Sequence, residues 1–295
     1  MAQAPVSVTY RQTLKPGEVE TVFDLLLFRP LAYVFVRLAL PTPLSANGMT
    51  LLSILAGCAG GALLASQDLT DLRIACALLF LYAVLDCADG QLARARGTAS
   101  RLGRILDGSS DYVAGCVSGA AIAIYCHERM GLAGVALALG GLGSVMLQGT
   151  LFDYHKNRYL RRSGSRYREG DDLEEARAEL GALLAGGAPS WRVLLARVYV
   201  LFLGIQGALG GRRGDPDPTP EEAAMWRERI TTLARAWAYL GPSTHILLLV
   251  AFTVGGHVVE YVWLRLVAGN VVLAVLWAEQ RRRERAISAL RPLAA

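Results

Sequence analysis

The sequence has 295 residues, of which 53% are hydrophobic and only 19% are charged. This composition excludes a disordered or fibrous chain, and the charged fraction is lower than the roughly 25% of an average soluble domain. Thirty Lys and Arg against 25 Asp and Glu give a formal net charge of +5, a bias too small to indicate nucleic-acid binding. The composition therefore favours a membrane protein with several spans.

The N-terminal part, residues 1–46, is expected to be a polar segment followed by an interfacial helix. Residues 19–40 combine an apolar face with charged side chains, which is typical of an amphipathic helix on a membrane surface. Pro30 is expected to break this helix. Ser45 or Asn47 is suited to cap the helix that follows.

Six later segments are apolar and close to the 20 or so residues that a membrane span requires. They cover residues 48–66, 72–95, 103–126, 131–154, 242–259 and 261–279. The predicted fold class is an all-α integral membrane protein with six transmembrane helices, the N-terminal interfacial helix and a cytoplasmic insertion between spans four and five. The membrane domain would cover residues 47–285, with the insertion at about 160–235, and residues 286–295 would form a cytoplasmic tail.

The insertion contains one further apolar run, residues 189–210, which Arg192 and Arg197 interrupt. With six spans and a cytoplasmic N-terminus, most basic flanking residues fall on the cytoplasmic side, in agreement with the positive-inside rule. A seventh span would place the basic C-terminal tail outside. The run is therefore expected to be an interfacial or laterally packed helix. Arg265, in the last span, is expected to extend towards the outer surface.

Four aspartates lie at the facing ends of the second and third spans. Asp86 and Asp89 are three residues apart and Asp107 and Asp111 are four apart, so each pair occupies one face of its helix. Charges at membrane depth cost several kcal/mol unless they are paired or bind a cation. Pairing with nearby arginines is the structural alternative, but it does not explain the spacing.

Oxygen ligands of this kind suit Mg²⁺, Mn²⁺ or Ca²⁺ rather than zinc. Magnesium commonly shares its coordination sphere with substrate phosphates, which indicates a phosphate-bearing substrate. Gly90 and Ala93 lack bulk on the same helix, and Arg94 can offer a bidentate contact to phosphate.

These residues resemble the signature of the CDP-alcohol phosphotransferase (CDP-alcohol phosphatidyltransferase) family. That signature is Asp-x2-Asp-Gly-x2-Ala-Arg-x8-Gly-x3-Asp-x3-Asp, and all eight defined positions are present. They are Asp86, Asp89, Gly90, Ala93, Arg94, Gly103, Asp107 and Asp111. The resemblance extends to residues 43–50 before the first span, whereas the insertion departs from the compact members of the family.

The resemblance implies that a CDP-linked alcohol, often CDP-diacylglycerol, transfers its phosphoalcohol group to an acceptor hydroxyl and releases CMP. It also implies a homodimer and roles for the signature residues. Asp86, Asp89 and Asp107 would bind Mg²⁺ or Mn²⁺, and Asp111 would act as the general base and contact a second metal ion. Gly90, Ala93 and Gly103 would shape the nucleotide pocket and Arg94 would hold phosphate, with Asn47 and Thr50 as further candidates for nucleotide contact.

Three questions stay open at the level of the sequence. The acceptor could be a polar phosphorylated alcohol bound by Lys156 and Arg158, although basic residues there could equally bind anionic lipid. The donor could instead be soluble CDP-choline or CDP-ethanolamine, with diacylglycerol as acceptor. The aspartates could also form the ion path of a cation or proton transporter, but few polar residues continue it.

The glycines of the fourth span, Gly131, Gly134, Gly140, Gly141 and Gly143, suit close helix contacts, either within the chain or in a dimer. The Ala-, Arg- and Gly-rich composition without a targeting segment favours a bacterial plasma membrane, with the active site facing the cytoplasm.

Overall fold

The computed structural model describes residues 8–15, 19–98, 101–165, 173–210 and 218–289, without the side chains of residues 101–111 and 210. Within this part of the chain, every regular element is helical and no strand occurs. The predicted all-α class is confirmed to that extent.

Eleven α-helices follow one another in the described residues. They are α1 (Arg29–Ala39), α2 (Ala46–Leu63), α3 (Leu69–Arg96), α4 (Arg101–Met130), α5 (Leu132–Arg162), α6 (Leu173–Ala185), α7 (Ser190–Gly210), α8 (Pro220–Ala238), α9 (Pro242–Thr253), α10 (Val258–Leu264) and α11 (Asn270–Ala289). A 3-10 turn at Tyr10–Thr13 and π-helical turns at Asp24–Phe28 and Arg265–Gly269 complete them.

The chain divides into two compact units. The first comprises Met1–Met146 and Pro242–Val271, and the second comprises Leu147–Gly241 and Val272–Ala295. The second unit has its own apolar core, in which Trp237 of α8 is buried with Leu151 and Phe152 of α5 and with Leu273 and Leu276 of α11.

Five helical segments among the described residues are long and apolar enough to cross a membrane. They are Ala46–Leu63, Leu132–Arg162, Ser190–Leu209, Pro220–Thr253 and Val258–Ala289. The predicted first, fourth, fifth and sixth spans overlap four of these segments. The predicted second and third spans lie in α3 and α4, which are not among the five, so the number of six spans stays a prediction.

The N-terminal helix packs its buried face against α3. Phe28, Ala32 and Val36 are fully buried there, and the ring of Phe28 lies 5.6 Å from that of Phe80. Pro30 does not break the helix but lies in its first turn, directly after the π-helical turn. The preceding π-helical turn is wider than an α-helical turn and leaves room for the proline ring. Because proline has no N–H, it fits best where the helix requires no hydrogen bond from that residue. An interfacial position of this helix stays a prediction.

Glycines bring α2 into close contact with α4. A Cβ atom at Gly57 would lie 3.0 Å from the Cβ atom of Ala114, and one at Gly61 would lie 2.6 Å from Ser118 Oγ. The residue numbers of the two helices increase together along the contact, so α2 and α4 run parallel.

Contacts between α2 and α3 have the opposite order. A Cβ atom at Gly60 would lie 3.0 Å from both Ala75 O and Leu79 N, whereas Thr50, at the start of α2, contacts Asp89 near the end of α3. The two helices therefore run antiparallel, and α2 packs against both signature helices.

Three of the five glycines at the predicted fourth span pack within the chain. Gly134 approaches Cys126 O on α4, while Gly140 and Gly141 face Leu266 and Val262. These contacts explain three of the five small residues without a second copy. The homodimer stays a prediction from the family resemblance.

Helix α7 exposes most of its apolar surface. The side chains of Trp191, Leu194, Val198, Leu201 and Ile205 form an exposed stripe at helical spacing. One of its inward contacts is made by the buried Gln206, whose Nε2 donates to Asp153 Oδ2 of α5 at 2.8 Å. A 20-residue apolar surface of this kind is suited to lipid.

We expect α7 to lie in the membrane surface rather than to cross it. It packs against α6, whose Glu174, Glu175 and Glu179 would enter hydrocarbon beside a spanning helix. Single cysteines at Ser190 and Glu221, in a variant without the five native cysteines, should therefore be labelled by an impermeant maleimide from the same side. A cysteine at Leu132 is the control for the opposite side, and labelling of Ser190 and Glu221 from opposite sides would show that α7 spans.

Candidate active site

The first two aspartates of the signature lie in the C-terminal half of α3. Asp89 is 4% exposed, and the hydroxyl of Thr50 on α2 donates to its Oδ2 at 2.5 Å. Asp86 is half-buried one turn earlier on the same helix. A buried carboxylate with a hydroxyl donor is held in one orientation, because an unsatisfied charge there would be costly.

The backbone of α4 approaches the same place. Gly57 of α2 faces Ala114 of α4, and two turns back along these parallel helices lie Thr50 and the backbone of Asp107. The backbone of Asp111 lies one turn nearer to Ala114. The four aspartate positions therefore occur at one end of the group formed by α2, α3 and α4.

The side chains of Gly103, Asp107 and Asp111 lie outside the described part of the structure. Among the described side chains, no group of three or more His, Cys, Asp or Glu residues is arranged to hold a metal ion. The two described aspartates supply oxygen donors alone, which is a ligand type that fits Mg²⁺ or Mn²⁺.

Arg94 lies one turn beyond Gly90 and contacts the N-terminal segment. Its Nε donates to Thr13 O at 2.7 Å. A Cβ atom at Gly90 would lie 3.4 Å from Arg94 Nη1, so the absence of a side chain leaves the guanidinium room. Ala93 is half-buried beside it, and Asn47 is exposed in the first turn of α2, where Ser45 supplies the cap.

Lys156 and Arg158, the expected acceptor-binding residues, belong to the second unit and have acidic neighbours. Lys156 Nζ lies 2.8 Å from Asp153 Oδ1. Arg158 is 4% exposed, forms a 2.5 Å ion pair with Glu284 Oε1 and lies over the Trp226 ring. An acceptor role for either residue stays a prediction.

Two polar residues at undefined positions of the signature hold the N-terminal helix on α3. Gln91 is fully buried and donates from Nε2 to Arg29 O at 3.2 Å. Arg96 donates to Ala39 O and Thr42 O at 2.9 Å, at the C-terminal end of α1. Neither role could be predicted from the sequence, because the partners are backbone carbonyls more than 50 residues away and leave no sequence pattern.

Arg265 also differs from its expected position. It is 4% exposed, and its Nη2 lies 2.8 Å from Nε2 of the buried His245 on α9. A guanidinium in the interior avoids lipid by bonding within the protein, and the His245 ring nitrogen accepts from it. The expectation that Arg265 extends to the outer surface is therefore wrong.

One comparison with known proteins identifies the segment that carries these residues. Residues 44–166 match the family model of CDP-alcohol phosphatidyltransferase. The matched family is the one that the signature resembles. It spans α2 to α5 and includes all eight signature positions, whereas α6 to α11 lie beyond it. No curated protein matches the chain.

The matched segment resembles transferases of phosphate-containing groups that use a CDP-alcohol, and the five apolar helices agree with an integral membrane protein. The match covers the α2–α3–α4 group in which the aspartate positions come together. The family match and the packing of these helices therefore indicate the same candidate active site.

Proposed function

We propose that the protein transfers a phosphatidyl group from CDP-diacylglycerol to a polar alcohol, releases CMP and thereby contributes to phospholipid biosynthesis. The observation that carries the proposal is the complete signature within the matched segment, with Asp89 buried and oriented by Thr50. The reaction joins the acceptor oxygen to the phosphorus next to the diacylglycerol and breaks the bond from that phosphorus to CMP.

The signature residues divide this task between binding and proton transfer. Asp111 takes the proton of the acceptor hydroxyl as the new bond forms, a contribution of about 10²–10⁴-fold in rate for a positioned general base. Arg94 holds a donor phosphate, and Gly90, Ala93 and Gly103 leave space for the nucleotide. Asn47 borders the same pocket at the start of α2.

Asp86, Asp89, Asp107 and Asp111 would hold Mg²⁺ or Mn²⁺. When bound, such a cation neutralises the charge of the diphosphate and of the leaving CMP. Thr50 keeps the Asp89 carboxylate in position to bind the cation by donating to one of its two oxygens.

The basic residues that follow the fourth predicted span favour a phosphorylated, water-soluble acceptor, with Lys156 and Arg158 as its proposed contacts. We further propose that the active site faces the cytoplasm of a bacterial plasma membrane and that the protein forms a homodimer. The positive-inside rule supports the orientation.

The test is CMP release by the purified protein in detergent with Mg²⁺. CDP-diacylglycerol, CDP-choline and CDP-ethanolamine are each offered with a panel of acceptors. Release from CDP-diacylglycerol with a polar acceptor supports the proposal, and release from CDP-choline or CDP-ethanolamine with diacylglycerol would overturn the choice of donor. Absence of both CMP release and CDP binding would overturn the enzyme function and favour cation or proton transport.

Replacement of Thr50 by valine tests how Asp89 is oriented. Valine keeps the shape but removes the hydroxyl donor, and a hydrogen bond to a charged group contributes about 1.5–3 kcal/mol. We expect the Mg²⁺ concentration for half-maximal CMP release to rise about tenfold or more. Thr50→Ser retains the hydroxyl and should remain within about twofold of wild type. Equal effects of valine and serine would contradict this role.

A further inference from the structure

The N-terminal strap, residues 8–14, is an ordered segment that contacts both α1 and α3. Its 3-10 turn is closed by a bond from Thr9 N to Gln12 Oε1 at 2.9 Å, and Thr13 within it is fully buried. Tyr33 of α1 donates from its hydroxyl to Val8 O at 2.7 Å, and its ring contacts that of Tyr10 at 5.3 Å. The first residues of the strap therefore bind to α1 through Tyr33.

Its other end contacts the arginine of the signature. Arg94 Nε donates to Thr13 O at 2.7 Å, although the two residues are 81 positions apart. A guanidinium presents its donors in a rigid planar fork, so a bond to Nε fixes the plane of the whole group. Gly90 on the same helix leaves the space that this plane occupies.

We propose that the strap is a positioning element of the donor site, in which the carbonyl of Thr13 orients the Arg94 guanidinium for the donor phosphate. This inference rests on the proposed function, because it takes the phosphate of a CDP-alcohol as the ligand of Arg94. A bidentate contact to phosphate depends on the orientation of the fork more than on its charge. The strap therefore acts on donor affinity through Arg94 and leaves the proton transfer by Asp111 unaffected.

A double-mutant cycle on the full-length protein separates this role from general stabilisation. One arm removes residues 2–14, or replaces Tyr33 by phenylalanine as the milder variant that keeps the chain intact. The other arm is Arg94→Lys, which keeps the positive charge but has no planar fork. The readouts are the Kd of CDP in the presence of Mg²⁺ by calorimetry, and KM and kcat for CMP release. Removal of residues 2–6 alone is the matched control, since it retains residues 8–14 and their described contacts to Tyr33 and Arg94.

We expect the longer deletion to raise the Kd of CDP and the KM for the donor about tenfold, the loss typical of one hydrogen bond to a charged group, with kcat changed less than threefold. Tyr33→Phe should raise both constants about threefold. In the Arg94→Lys background, neither change should raise the Kd of CDP or the KM for the donor by more than about a further twofold. The bond that orients the guanidinium is already absent in that variant.

The inference would be overturned if the deletion raised the Kd of CDP by the same factor in the wild type and in Arg94→Lys. It would also be overturned if the deletion left the Kd of CDP at the wild-type value. Failure of the proposed function has a different result, namely that the wild-type protein itself binds no CDP. That result would overturn the inference together with the function on which it rests.

Discussion

Replacement of Asp89 by asparagine is expected to lower CMP release about 10²–10⁴-fold, since charge stabilisation by a metal ion is worth several kcal/mol and each 1.36 kcal/mol is tenfold in rate. The amide has the same shape as the carboxylate, so the packing of α2 against α3 is retained while the negative ligand is lost. The initial rate of CMP release at saturating Mg²⁺ measures the effect. A higher Mg²⁺ concentration should restore little activity, because the ligand charge is absent.

The matched control is Asp71→Asn on the same helix. Asp71 lies in the first turn of α3, about 27 Å along the axis from Asp89, and accepts from the Ser66 hydroxyl at 2.7 Å. We expect this variant to keep wild-type activity. A similar loss in both variants would mean that Asp89 acts through the stability of α3, and full activity of Asp89→Asn would contradict its role as a metal ligand.

Replacement of Asp111 by asparagine is expected to lower kcat about 10²–10⁴-fold, the range for removal of a general base. An amide cannot take up the proton of the acceptor hydroxyl. The Kd of CDP should change less than threefold, because the donor does not need this proton to bind and three other aspartates remain to hold the cation. Comparison of kcat with the Kd of CDP therefore separates a general base from a residue that binds the nucleotide.

Glu128→Gln on the same helix is the control for Asp111. Glu128 is exposed near the C-terminal end of α4, about 25 Å from the position of Asp111. Its replacement should leave kcat unchanged. If Asp111→Asn loses CDP binding in parallel with kcat, the residue acts through metal or nucleotide binding and its role as the base is contradicted.

The sequence by itself determined the class of fold and the family that residues 44–166 resemble. Apolar runs of membrane length predict helices, and every regular element among the described residues is helical. The fixed spacing from Asp86 to Asp111 predicts two carboxylate pairs on two consecutive helices, and the family match includes this segment. These inferences succeed because helix period and residue type are local properties of the chain.

The tertiary structure decided which side chains meet. The contact of Thr50 with Asp89 depends on the register of α2 against α3, which the close approach at Gly60 sets. The bond from Arg94 to Thr13 and the pairing of Arg265 with His245 likewise join different segments. A local sequence pattern predicts which face of a helix carries small or polar residues. It does not predict which neighbouring helix packs against that face, or in what register. That choice follows from the packing of the whole helix group, because each polar group in the interior must find a partner there.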